Sequence, residues 1–250
     1  MNDFNPFSLE GKTILVTGAS SGIGRGIAVA CSKMGASIVL NGRNMDRLRE
    51  TSTLMEGDNH VILCGDITDS DCLKQIVEDL PKLDGIVHCA GIVNRMLAKQ
   101  LSSCDVDMIM DVNFKAPVVL QSLILQKKKL NKNASIVFIS SIGADSPNIG
   151  NGIYSASKGA LISYSNCLML ELAPRGIRVN CISPAMVWTD LAFDNMVTEE
   201  DLKADEQRYP LKRYGKPEDI AYLTVYLLSD ASSWMTGTNI RITGGVTSLC

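Results

Sequence analysis

The stretch Thr13-Ile14-Leu15-Val16-Thr17-Gly18-Ala19-Ser20-Ser21-Gly22-Ile23-Gly24 decides how the rest of the chain is read. Aliphatic and β-branched residues run directly into a glycine-rich turn, and a helix-like segment, Ile23–Met34, follows. Glycine permits the tight turn and lets a ligand approach the backbone. The helix behind it offers unbonded N–H groups and its positive end, which together suit a pyrophosphate. The spacing is G-x-x-x-G-x-G, not the G-x-G-x-x-G of the general dinucleotide fingerprint, so the strand before and the helix after carry the inference.

The same alternation continues outward. Candidate strands are Thr13–Thr17, Ser37–Asn41, Val61–Cys64, Gly85–His88, Ser135–Ser140, Arg178–Ile182 and Asn239–Ile242. Their Ile, Val and Leu run nearly unbroken, as in strands buried on both faces of a parallel sheet. Between them lie the helical patterns Ile23–Met34, Met45–Met55, Ser70–Leu80, Cys104–Lys128, Tyr154–Leu172 and Pro217–Ser229. The last opens on Pro217 followed by Glu218-Asp219, a good helix start. We find no repeat, low-complexity tract or linker. The expectation is one α/β domain over 1–250: a doubly wound Rossmann-type fold with a seven-stranded parallel sheet and helices on both faces. Residues 186–214 lack periodicity and read as a substrate-side loop or helical lid.

Composition narrows the function. The 250 residues are 46% hydrophobic and 20% charged, with a net charge of −3, which excludes a disordered chain and argues against a nucleic-acid binder. The first twelve residues show neither the basic nor the apolar region of a signal peptide. No run of about 18 wholly apolar residues occurs, so no membrane span is expected. The eight Cys form no C-x-x-C pair, and several sit in apolar runs. The two His, His60 and His88, lie far from any ligand-like cluster. These features predict buried, reduced thiols, a cytoplasmic protein and no metal site.

The end of the second strand reads Leu40-Asn41-Gly42-Arg43-Asn44. A carboxylate here would bond the ribose 2′-hydroxyl of NAD. None is present, and Arg43 can instead fork onto a 2′-phosphate, which predicts NADP(H) over NAD(H). Ser20, Ser21 and Asn44 are placed to add neutral bonds, and Arg25 lies just past the glycines. Further on, Tyr154-Ser155-Ala156-Ser157-Lys158 puts a phenol and an ammonium on one helix face. A free phenol ionises near ~10, and a neighbouring cation lowers that value. Ser141, thirteen residues upstream of Tyr154, follows a strand end, where parallel-sheet sites gather.

With these motifs in order, the sequence resembles the short-chain dehydrogenase/reductase family over essentially its full length. The family's TGxxxGxG reads Thr17–Gly24, and its Asn-Ser-Tyr-Lys set falls on Asn113, Ser141, Tyr154 and Lys158. The adenine-contacting Asp maps to Asp66, followed by Ile67. The Pro-Gly stretch maps to Pro184-Ala185-Met186-Val187-Trp188-Thr189. The resemblance implies that Tyr154 is general acid in reduction and base in oxidation. Lys158 then lowers its pKa and holds the nicotinamide ribose, Ser141 bonds the carbonyl, and Asn113 holds a relay water. The cofactor set is Gly18, Ser20, Ser21, Gly22, Ile23, Gly24, Arg43, Asp66, Ile67, Ala90, Gly91, Tyr154, Lys158, Pro184, Val187 and Thr189.

Two positions depart from the family. His88-Cys89-Ala90-Gly91 replaces Asn-Asn-Ala-Gly, with His88 read as structural, and Ala185 replaces a Gly, which leaves that turn in doubt. The overall look is of 3-oxoacyl-acyl-carrier-protein reductases, whose two basic carrier-docking positions fall on Lys132 and Arg175, beside Lys127-Lys128-Lys129. A sugar, polyol or other small keto or hydroxy substrate is the alternative, and a non-catalytic dinucleotide binder a third reading. The partners implied are a small-molecule or acyl-thioester substrate, an acyl carrier protein, and further copies of the chain as a homotetramer or homodimer paired through 104–128 and 154–172. Ile92, Val93, Ile142, Ile149, Met186 and Trp188 are the expected pocket lining.

Overall fold

A computed structural model describes residues 5–146, 148–189 and 198–246. Seven strands form one sheet: β1 Thr13–Thr17, β2 Ser37–Gly42, β3 Val61–Cys64, β4 Leu83–His88, β5 Leu130–Ile139, β6 Arg178–Pro184 and β7 Asn239–Ile242. Every pairing is parallel, in the order β3-β2-β1-β4-β5-β6-β7. The order reverses between β1 and β4, so a crevice opens above their carboxyl ends, where such sheets bind ligands.

The strands bury alternate residues in two cores. Leu15, Val39, Ile86, Ile136 and Phe138 face α3 (Ser70–Asp79), α5 (Ala116–Gln126) and α6 (Gly152–Leu172). Ile14, Val16, Ile38, Leu40, Val87 and Val137 face α1 (Gly22–Lys33), α2 (Met45–Thr53) and α8 (Pro217–Leu228). Helix starts follow the side chains present. The Asn44 side chain accepts the Arg47 N–H at the head of α2, and Asp69 accepts two N–H groups at the head of α3.

The helix expected over Cys104–Lys128 is two helices. After α4 (Ser103–Met110), a π turn over Asp111–Lys115 leads into α5. Pro117 is the cause: it lacks the N–H that would bond the Asn113 carbonyl four residues back, and its ring crowds that carbonyl. The combined run Ser103–Gln126 has the length and mean hydropathy, 1.4, of a membrane-crossing helix. In this fold, however, Leu120 and Ile124 are wholly buried against the sheet. Within 186–214 the structure forms a short helix, α7 (Glu199–Glu206), while 190–197 lies outside the described residues.

The described cysteines are all unpaired, but not all are buried: Cys31 and Cys181 are enclosed, whereas Cys104 and Cys167 are exposed on α4 and α6. Ala185 does not have a positive φ and donates to the Ile242 carbonyl at 3.0 Å, so alanine fits that turn without strain.

Candidate active site

A cleft of about 750 Å³ runs across the carboxyl ends of the strands. Its floor is the loop between β1 and α1. Gly24 is obligatory there, because a Cβ would stand 2.2 Å from the Gly18 carbonyl oxygen. Gly18, with φ +68°, would bring a Cβ to 2.9 Å from Ala90 Cα. The two loops are tied together as well as packed, since Thr17 Oγ1 accepts the N–H groups of Cys89 (3.1 Å) and Ala90 (3.2 Å). Small residues are therefore needed on both sides of the crevice for backbone to meet a ligand closely.

All the cofactor residues expected from the sequence line this cleft: Gly18, Ser20, Ser21, Gly22, Ile23, Gly24, Arg43, Asp66, Ile67, Ala90, Gly91, Tyr154, Lys158, Pro184, Val187 and Thr189. At its far end Arg43, whose side chain is mostly exposed, lies 3.8 Å from Asp66. Partial burial works to raise the Asp66 carboxyl, but two hydrogen bonds from Thr68 and the Arg43 charge hold it below its ordinary value. Arg47, which the sequence reading missed, lines the cleft beside Arg43. Its signal was the Asn44 cap, which sets Arg47 on the first turn of α2. Arg25 does not join them. Its guanidinium is spent on the Ser20 carbonyl, Thr51 and Glu50.

At the other end, Ser141 and Tyr154 line the cleft together, close enough for the Ser141 hydroxyl to oppose the rise in the Tyr154 pKa. Ser141 Oγ also accepts the Gly143 N–H at 3.0 Å, which fixes its rotamer. Lys158, one turn along α6 from Tyr154, is buried and donates to the Ile139 carbonyl at 2.9 Å. Burial lowers its pKa from 10.5 to about 8. The expected depression of the tyrosine by this lysine is not what the structure shows. Burial raises the Tyr154 pKa, the group opposing that rise is Ser141, and the Lys158 ammonium sits 5.8 Å from the ring centroid, directed at a carbonyl.

Asn113 is wholly buried behind the cleft. Its Oδ1 accepts the Ile92 N–H at 2.8 Å, and its Nδ2 donates to the Ile92 carbonyl (2.9 Å) and Ser157 Oγ (3.1 Å). The amide thus clamps the Ile92 backbone to α6, and its Oδ1 keeps a second acceptor position. A Cβ on Gly91 would meet Lys158 Nζ at 3.2 Å and Asn113 Oδ1 at 3.3 Å, so glycine lets these three groups converge. His88 is structural: it is buried, bonds Gln121 at 3.0 Å, stacks on Phe138 at 4.6 Å, and burial lowers its pKa to about 4.

Of the expected pocket lining, Ile92, Val93, Ile142 and Met186 are in place. Ile149 is 88% exposed and outside the cleft. Trp188 packs on Tyr214 instead, and its indole N–H donates to Glu206 at 2.7 Å. The same carboxylate oxygen accepts the Tyr214 backbone N–H at 2.9 Å, so Glu206 fastens α7 to both flanks of the segment. Polar groups not expected at the substrate end are Arg95, Asn148 and Asn151. Lys132 and Arg175 precede or open β5 and β6, at the end of the sheet opposite Ser141, and Arg175 donates to the Leu130 carbonyl at 2.7 Å.

Comparison with known proteins agrees with this geometry. Residues 18–247 match the family described as enoyl-(acyl carrier protein) reductase. The chain is 35% identical to the 3-oxoacyl-[acyl-carrier-protein] reductase FabG of Rickettsia felis, across 95% of this chain and 98% of that protein. It is 32% identical to the L-xylulose reductase of Caenorhabditis elegans, across 96% and 97%. A solved structure described as an NAD(P)-dependent gluconate 5-dehydrogenase of Beutenbergia cavernae, with bound NADP, superposes with a TM-score of 0.88 at 31% identity, covering 96% of this chain and 98% of that one. The chain belongs to the short-chain dehydrogenase/reductase family. It is an oxidoreductase acting on CH–OH groups and their ketones, with a site suited to NADP(H).

Proposed function

We propose that the protein reduces a ketone to a secondary alcohol with NADPH, and that Tyr154 delivers the proton. The observation that carries this reading is the pairing of the Ser141 and Tyr154 side chains at the substrate end of the glycine-lined cleft. Two neighbouring hydroxyls suit a single carbonyl oxygen. They offer nothing to a carbon–carbon double bond, which sets the reading apart from the enoyl reduction in the matched family's description. When bound, the nicotinamide supplies the hydride. Ser141 holds the carbonyl oxygen, and Tyr154, kept neutral by burial, protonates the alkoxide as it forms. Lys158, whose ammonium lies beside Gly91 while bonded to the Ile139 carbonyl, would hold the nicotinamide ribose, and Asn113 fixes the Ile92 backbone beside it. Loss of NADPH absorbance with a panel of ketones, 3-oxoacyl thioesters and keto-sugars tests the reading. No turnover with any of them would sink it in favour of a binding protein without catalysis.

For the cofactor, Arg43 at the cleft end reads the 2′-phosphate through charge-assisted bonds worth about 1.5–3 kcal/mol each. Arg43→Ala should raise KM for NADPH tenfold to hundredfold and leave KM for NADH within about twofold. Equal losses for both would make Arg43 a support for the loop.

Two substrate classes fit the relatives: 3-oxoacyl groups on an acidic carrier protein, and small keto-sugars or sugar acids. Lys132 and Arg175 could guide a carrier only to the cleft of another subunit, because they sit at the wrong end of their own sheet. We further propose a cytoplasmic homotetramer or homodimer paired through α4, α5 and α6, which leave Met108, Val119 and Leu170 exposed. Light scattering giving a monomer mass would exclude it.

A further inference from the structure

We propose that Arg95 and Asn151 form an anion-reading subsite, so that the substrate carries a carboxylate or phosphate together with a hydrogen-bond donor beside its ketone. The inference deepens the carbonyl-reductase reading and rests on it. Three observations support it. First, Arg95 lines the substrate end of the cleft with an exposed side chain, and among the described residues its guanidinium has no ion pair or hydrogen bond, which leaves it open to a ligand. Other arginines of the chain are engaged: Arg25 with Glu50, Arg178 with the Leu227 and Ser229 carbonyls, Arg213 with Asp219.

Second, Asn151 is 9% exposed and lines the cleft, and its Oδ1, turned beneath the cleft surface, meets no donor among the described residues. A buried amide oxygen left bare costs free energy, and a rotation of the side chain toward the cleft would let a hydroxyl or N–H on the ligand satisfy it. Third, the two residues are held side by side. Met96 N–H donates to the Gly150 carbonyl at 2.8 Å, and a Cβ on Gly150 would stand 3.9 Å from Arg95 Cβ.

The charges around this end have one sign. Among the described residues lining the cleft, the one carboxylate is Asp66, at the opposite end and beside Arg43, while the substrate end holds Arg95 and Lys158. A cationic substrate would meet only repulsion there, and a neutral apolar one would leave both Arg95 and the Asn151 oxygen unused. An anion with a neighbouring donor uses both. Two sources share this chemistry: the carboxylate of a polyhydroxy keto acid, and the phosphate of a phosphopantetheine arm with its amide N–H.

The test uses substrate pairs that differ in charge: 5-keto-D-gluconate against D-fructose, and 3-oxobutanoyl-4′-phosphopantetheine against 3-oxobutanoyl-pantetheine. Wild-type protein should favour the anionic member of one pair by roughly tenfold or more in kcat/KM, and that pair identifies the source. Arg95→Ala should erase the preference, leave the neutral member within about twofold, and lose the salt sensitivity of the anionic one. Arg95→Lys should restore part of it. Neutral members turned over as well as their anionic partners in both pairs by wild type, or equal losses for both members of the preferred pair in Arg95→Ala, overturn the subsite while leaving the reductase reading intact. If no member of either pair is reduced, that reading fails for these substrates. Calorimetric titration of D-gluconate and of 4′-phosphopantetheine into protein with NADP⁺ then decides the subsite separately. Binding of either that weakens at least tenfold in Arg95→Ala supports it, and no binding, or equal binding to both proteins, overturns it.

Discussion

Tyr154→Phe should bind NADPH as wild type does and lose turnover by about 10²-fold or more, the usual size of a positioned proton donor's contribution. The change keeps the ring and its packing and removes one oxygen. Ser141 retains its bond from the Gly143 N–H and still meets the carbonyl, so substrate positioning survives and the loss appears in kcat. The direction of the tyrosine's shift adds a second expectation. Burial holds the Tyr154 hydroxyl above its ordinary value of 10.0, opposed by the hydrogen bond with Ser141. The neutral, proton-donating form therefore persists through neutral pH and beyond. Tyr154 itself imposes no fall on ketone reduction until it ionises, so a fall near pH 8 would belong to the Lys158 ammonium, whereas alcohol oxidation, which needs the phenolate, should climb as Tyr154 ionises. Stopped-flow single turnovers in both directions, with fluorescence titration of NADPH, measure all of this. Near-normal turnover in Tyr154→Phe would mean that another group carries the proton, and an oxidation rate falling with pH would contradict the tyrosine as base.

The sheet was legible because its strands are buried on both faces, and unbroken Ile, Val and Leu runs mark such strands without reference to anything distant. The glycine loop was legible because steric exclusion at Gly18 and Gly24 leaves glycine as the residue that fits. What the sequence hid depended on contacts made across the fold. The π turn at Asp111–Lys115 could have been suspected from Pro117, but a twenty-five-residue apolar pattern on either side read as one continuous helix. Trp188 looked like pocket lining by its place after Pro184, and only the fold brings Glu206 and Tyr214 round to claim it. Ile149 is apolar and near Tyr154 in sequence, yet its loop turns it to solvent. By its place in the sequence, Lys158 is the charge expected to acidify Tyr154. The helix spacing behind that reading is correct, but it says nothing of the Ile139 carbonyl that draws the ammonium away. Arg95 drew no attention because an arginine in a loop has no periodicity to betray it. Its meaning comes from the bare Asn151 oxygen more than fifty residues away.

Lys158→Met should make the cofactor-free protein more stable while cutting turnover by about 10²-fold or more and weakening NADPH binding. The lysine is a buried base whose pKa falls from 10.5 to about 8, with burial as the main cause. Between those values the unfolded chain holds the proton and the folded chain has released it. Stability from this residue therefore rises with pH through that window, and its full cost applies below pH 8. That cost is about 3 kcal/mol at 1.36 kcal/mol per pH unit. Methionine has nearly the same length and carries no charge. It forfeits one hydrogen bond to the Ile139 carbonyl, worth about 1 kcal/mol, so the net gain near pH 7 is about 2 kcal/mol. For a chain of this size that gain amounts to roughly 4–8 °C in Tm. The gain should shrink as pH approaches 10.5 and there reverse to a small loss, because the wild-type amine is then neutral in both states and only the lost hydrogen bond remains. Thermal melts of both proteins at pH 7 and pH 10.5, at one protein concentration and without cofactor, give the comparison. A variant less stable than wild type at pH 7 would show that the ammonium is compensated inside the fold. A variant with normal turnover would remove Lys158 from the site. The expected pairing of added stability with lost activity is the signature of a charge buried for catalysis at the fold's expense.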